Sequence, residues 1–217
     1  MVKYGMTRSR KPALKLFLSI PCLAAGLLLA PRAATAQLSI SPTLIVTGPP
    51  TPTSALLSSW FDRHLPAKFR AKEQFEVHPL TESQMVSYLQ DASGDTQSDQ
   101  KSHADEGTID GVFEDNPPRI TLLVPDNGTL DLFTFAHEYG HYVWYDLLTR
   151  DDRKRYETVY KKQRAARHLV TRYAETDMEE GFAEAFSFYA LEPPLLRHRD
   201  GASYQFLSAW PAQALPL

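Results

Sequence analysis

Cysteine is almost missing from this chain: among 217 residues only Cys22 carries a thiol, so no internal disulfide can form. Acidic residues are missing from the first 36 positions, where Lys3, Arg8, Arg10, Lys11, Lys15 and Arg32 supply all the charge. A long apolar run is missing too. The best candidate, Leu14 to Ala30, is short for a bilayer span and is interrupted by Pro21. The chain contains no internal repeat.

The N-terminal segment has a basic start, a short apolar stretch and then Ala34-Thr35-Ala36. That order is the mark of a secretory signal peptide over residues 1–36, cut after Ala36, with an uncleaved anchor as the alternative. The expected location is therefore secreted or periplasmic, with no membrane span after cleavage. Removing the segment leaves 17 basic against 26 acidic residues and moves the net charge from −3 to −9. So acidic a protein is a poor partner for nucleic acid or an anionic membrane surface. The remaining 181 residues can bury a core without metal or disulfide staples.

Residues 37–54, rich in Pro, Ser and Thr, read as a linker or loosely packed arm ahead of a single domain over 55–217. Within that domain "ALLSSWFDRHL" has helical spacing and "FEVHPL" the look of a strand. Thr81 and Gln84 form a capping-box pair ahead of a helix. Residues 91–108 are polar and read as a loop, either over a cleft or as a solvated insertion. "GVFED" and "RITLLVP" follow as two strands. Helices are then expected over about 129–148, 152–168 and 176–191. Thr176 with Glu179 makes a capping box for the last, Pro193-Pro194 ends it, and a turn of helix follows at 203–210.

The chemistry concentrates in "HEYGH", residues 137–141. Residues four apart share one helix face, so His137 and His141 can address a single ion. Imidazole nitrogens suit zinc at about 2.0–2.1 Å. Glu138, beside the first histidine, would face an attacking water and take its proton, while the metal polarises a carbonyl. The other five histidines, His64, His78, His103, His168 and His198, have no ligand-like spacing and read as structural or surface residues; Tyr142 and Trp144 read as core.

A hydrolytic zinc site needs a third protein ligand. In "EEGFAEAFSFYAL" Glu184 is set among Phe182, Phe186, Phe188 and Tyr189, and a carboxylate in such a run requires a partner. Glu180 lies four residues earlier on the same face. Glu180 can bind the metal while Glu184 accepts a hydrogen bond from a ligand histidine. Alternatively Glu180 is a solvated first-turn residue and Glu184 pairs with an arginine. Glu179 is a rival ligand, already accounted for by capping.

HEYGH together with EGFAE resembles the gluzincin metallopeptidases, and more closely the lethal-factor-like branch of secreted bacterial proteases that includes Pro-Pro endopeptidases. The likeness covers roughly residues 110–191. It implies an α+β, zincin-like metallopeptidase domain: a small mixed sheet packed on the HExxH helix, with a predominantly helical C-terminal half. It implies one zinc per chain on His137, His141 and Glu180, with Glu138 as general base. It also implies that Tyr173, seven residues before Glu180, assists the oxyanion; by its own sequence context Tyr173 is equally a packing aromatic. The expected substrate is a peptide or protein added along a sheet edge, for which "RITLLV" is the candidate unless it is an ordinary buried strand.

The resulting expectation is a secreted zinc-dependent endopeptidase. A cytoplasmic regulatory metallopeptidase is disfavoured by the signal segment. The reading from another class is a non-enzymatic exported envelope protein that binds a peptide or protein partner on an inherited zincin scaffold.

Overall fold

The computed structural model describes residues 38–39, 44–47, 52–71, 74–93, 110–115, 117–125 and 130–210. The signal-like segment, residue 103 and most of the 91–108 stretch lie outside them. Among the described residues, five strands and seven α-helices make an α+β unit that is mostly helical. The strands are β1 (Leu38–Ser39), β2 (Leu44–Val46), β3 (Phe75–Leu80), β4 (Gly111–Asp115) and β5 (Pro118–Leu123). They form a mixed sheet in the order β1-β2-β3-β5-β4. β2, β3 and β5 run parallel; β4 returns antiparallel to β5, and β1 is a two-residue antiparallel edge.

The composition of 37–54 concealed a strand. Leu44, Ile45 and Val46 are buried and pair with Phe75, Glu76 and Val77, so these three residues of the stretch belong to the sheet. Three consecutive apolar residues, two of them β-branched, fit a strand covered on both faces. Helix α1 (Pro52–Arg63) follows, with Leu57, Trp60 and Phe61 turned into the core. Helix α2 (Glu82–Ser93) follows β3, and the Thr81 N–H donates to Gln84 Oε1 at 2.9 Å, as the capping pair requires.

"RITLLV" does not form an edge. β5 lies between β3 and β4, with Ile120, Thr121 and Leu122 buried. Its continuous apolar run is the pattern of a strand covered on both faces. The end of the sheet on this side is instead β4, "GVFED".

Helix α3 (Leu132–Tyr142) starts at Asp131, whose carboxylate accepts from the Phe133 N–H at 2.8 Å. It runs into a π-helical turn, Val143–Leu147. Arg153 of α4 (Arg150–Ala166) closes that turn: its Nη1 donates to the carbonyls of Trp144 at 2.7 Å and Leu148 at 2.8 Å. A capping box between Thr149 and Asp152 opens α4. A 3-10 turn, Tyr173–Glu175, precedes α5 (Met178–Leu191). Pro193-Pro194 does end α5, and it also begins a new helix, α6 (Pro193–Arg199), because proline suits a first turn that needs no N–H donor. α7 (Gly201–Ala209) completes the described chain.

α3 packs against the sheet on one side and α5 on the other. Phe135, Tyr139 and Tyr142 meet Trp60, Phe61 and Phe75, while Phe69 and Phe186 close the far side. The buried Tyr139 hydroxyl donates to the Phe69 carbonyl at 2.8 Å, which satisfies that polar group inside the cluster of rings. No helix among the described residues is long and apolar enough to cross a membrane.

Candidate metal centre

Two helix starts and one close approach set the site. α5 begins at Asp177, not Thr176: the Asp177 carboxylate accepts from the N–H groups of Glu179 at 2.8 Å and Glu180 at 2.9 Å. A single aspartate satisfies two orphan amides, so the Thr176–Glu179 capping box gives way to it. Glu179 is therefore not occupied by capping; it accepts a hydrogen bond from the Tyr145 hydroxyl and is not part of the group that could hold a metal ion. Glu180 stands in the first turn of α5, where the helix dipole favours a carboxylate.

The approach of α3 to α5 is set at Gly140. A methyl group there would lie 2.8 Å from the Ala183 Cα and 3.2 Å from its carbonyl oxygen. Only glycine lets the two backbones come this close. One helical turn away, the side chains converge. His137 Nε2 lies 3.0 Å from Glu180 Oε2, His141 Nε2 lies 3.2 Å from His137 Nε2, and His141 Nε2 lies 3.5 Å from Glu180 Oε2. These three residues form a group able to hold a metal ion, and it is the one such group among the described residues.

Glu184 does not pair with an arginine. Its Oε1 lies 3.0 Å from His137 Nδ1, and its Oε2 accepts from the Thr171 hydroxyl at 2.6 Å. A carboxylate only accepts, so the proton of the His137 ring belongs on Nδ1. Nε2 then turns a lone pair toward the Glu180 carboxylate and the His141 nitrogen. A proton carried by one of the two imidazoles, or a metal ion, can sit among these three atoms.

The protonation behaviour follows from the same contacts. Burial works against charge on His137, but hydrogen bonds to Glu180 and Glu184 outweigh it and lift the imidazole to about 9. Burial would raise Glu180, yet both histidines pull it well below the usual carboxylate range. Glu138 is raised, chiefly by burial, and the two histidines offset this only in part.

Glu138 lies on the side of α3 that meets β4. The Phe113 backbone N–H donates to its carboxylate. β4 can approach because position 111 is glycine: a methyl there would fall 2.8 Å from both Glu138 Cγ and Thr134 Cγ2. Next to it the Phe113 ring stacks on Tyr145, with centroids 6.1 Å apart and planes at 14°.

Tyr173 is not a core aromatic. It is 55% exposed, and its ring centroid lies 5.7 Å from that of His137. Partial burial together with the Glu180 carboxylate, to which its hydroxyl hydrogen-bonds, raises the phenol to about 12. The arrangement thus brings His137, Glu138, His141, Tyr173, Glu180 and Glu184 into one region. Of the other histidines, His78 pairs with Glu76 on the sheet at 3.0 Å, and His64, His168 and His198 are exposed.

Three contributors had no signal in the sequence: Thr171, Gly111 and Gly140. None belongs to a spacing pattern, and each acts through a contact distant along the chain. No family model matches this chain, and no curated protein matches it.

Proposed function

We propose that this protein is an exported zinc-dependent endopeptidase of the gluzincin type, with a zincin-like fold. The observation that carries the reading is the triangle of His137 Nε2, His141 Nε2 and Glu180 Oε2, with sides of 3.0, 3.2 and 3.5 Å. Ligands on a tetrahedral zinc at about 2.0–2.1 Å lie about 3.3–3.4 Å apart, so the donor set fits that ion with little rearrangement. Two imidazoles and one carboxylate are also the donor types of hydrolytic zinc sites that keep a fourth position open.

Zinc at this triad would polarise a scissile carbonyl and make water more acidic. The protein supplies the rest. Glu138, desolvated and raised in pKa, takes the proton of the attacking water and passes it to the leaving amine. The Phe113 N–H keeps its carboxylate aimed. Tyr173, with its phenol at about 12, stays protonated and donates to the developing oxyanion. Glu184 holds the His137 tautomer. An extended peptide would add to the β4 end of the sheet, beside Glu138, where the notional edge role of β5 is transferred.

The test is cleavage of a mixed peptide library by purified protein. Cleavage that stops with a chelator, returns with zinc and is absent in Glu138→Ala supports the reading. Peptide binding with no turnover under any metal condition would replace it with the non-enzymatic envelope protein.

A further inference from the structure

We propose that Thr171 is a positioning residue that ties the metal site to the turn carrying Tyr173, an inference that rests on the zinc reading above. Its hydroxyl makes two contacts of opposite sense. It donates to Glu184 Oε2 at 2.6 Å and accepts from the Ala174 N–H at 3.1 Å. The first contact occupies the oxygen of Glu184 that His137 leaves free, since Oε1 already receives Nδ1–H at 3.0 Å. The second caps the 3-10 turn Tyr173–Glu175, whose own closing bonds run from Glu175 N to Arg172 O and from Thr176 N to Tyr173 O, both at 3.0 Å.

A continuous chain results: Ala174 N–H, Thr171 hydroxyl, Glu184 carboxylate, His137 imidazole. Each member uses a donor or acceptor the others need. A hydroxyl is the one neutral side-chain group that can donate and accept from a single atom at this position. Without it, Glu184 keeps one partner instead of two and is free to rotate about its terminal torsion, which loosens the His137 ring it orients. The same loss unpins the turn at Ala174, directly after Tyr173. One small side chain therefore sets both how firmly His137 presents Nε2 and where the Tyr173 hydroxyl stands.

The test compares Thr171→Val, which keeps the shape and removes the hydroxyl, with Thr171→Ser, which keeps the hydroxyl. Metal-free full-length protein is titrated with zinc against a chromophoric chelator, and turnover is then measured at saturating zinc. Thr171→Val should weaken zinc binding about tenfold, within the range for partners that orient metal ligands, while Thr171→Ser stays within about twofold of wild type. In a double-mutant cycle with Glu184→Gln the two losses should be less than additive, because the hydroxyl acts through that carboxylate. At saturating zinc, Thr171→Val should still lower kcat, and that deficit should vanish in the Tyr173→Phe background. Wild-type zinc binding with an unchanged Thr171→Val overturns this inference alone. Additive losses with Glu184→Gln, or a kcat deficit that persists without the Tyr173 hydroxyl, do so as well. A wild-type protein that binds no zinc overturns the proposed function and takes this inference with it.

Discussion

The Ala183 Cα lies 2.8 Å from the point where the first carbon of any side chain at position 140 would stand. This contact fixes the separation of the two helices whose side chains meet at the candidate metal triad. In Gly140→Ala the helices must part by several tenths of an ångström, and Glu180 withdraws from His137 and His141. The expected cost is about 1–3 kcal/mol of stability, the usual range for an overpacked core. Zinc should also raise the Tm of the variant by less than it raises that of wild type. A thermal unfolding series with and without zinc checks both, and an unchanged zinc response would show that the spacing does not control the site.

Under the proposed function, Gly111 bears on the base and not on the metal. A methyl group there meets Glu138 and Thr134 at 2.8 Å, so β4 and the Glu138 carboxylate cannot both keep their places. Gly111→Ala is expected to retain zinc and to lose about a hundredfold in turnover, the scale of an ångström-sized misplacement of a catalytic group. Metal content measured beside kcat separates the two effects. Parallel loss of zinc and activity would mean that β4 supports the ligands as well.

Glu138→Gln would remove the proposed base and keep the shape. Bound zinc should be unchanged while turnover falls by about 10²–10⁴. Tyr173→Phe should leave zinc and KM near wild type and lower kcat by about 10²–10³, as for loss of one oxyanion donor. A Tyr173→Phe variant as fast as wild type would leave that residue a binding or purely steric role.

The pH dependence of the metal-free protein has a defined sign. The folded His137 imidazole titrates at about 9, against 6.5 when unperturbed. Its contribution to stability is complete below about 6.5 and is lost as pH rises through 9. Glu180 is depressed, so its contribution is present above its ordinary range and lost in acid. In chelator, the Tm should therefore be highest near pH 5–6.5 and fall toward pH 9. Added zinc must displace the His137 proton, so the extra stability it confers should grow over the same interval. A chelated protein whose Tm is level from pH 6.5 to 9 would count against the proton held in the triad.

Much of the site could be read from the order of residues, because helices repeat. His137 and His141 share a face by spacing alone, and Glu184, isolated among aromatics, announced that it needed a partner. That partner is the far nitrogen of His137. The start of α5 was misplaced by one residue because Thr176 and Asp177 are both good caps, and only the backbone geometry shows the aspartate taking both amides. Of the two readings open for "RITLLV", edge or covered strand, the sheet order supports the covered one, whose signature is the apolar run. Leu44–Val46 was hidden by the prolines around it. Gly111, Gly140 and Thr171 could not be found by pattern: their roles lie in single contacts across the fold, and no periodicity encodes a close approach.

The most direct test of the account is the zinc content of purified wild-type protein beside His141→Ala, each dialysed first against zinc and then against metal-free buffer. About one zinc per chain in wild type, and none in the folded variant, is the expected result for a three-ligand site that has lost one imidazole. A folded wild-type protein that emerges without zinc would contradict the metal centre and the peptidase reading built on it.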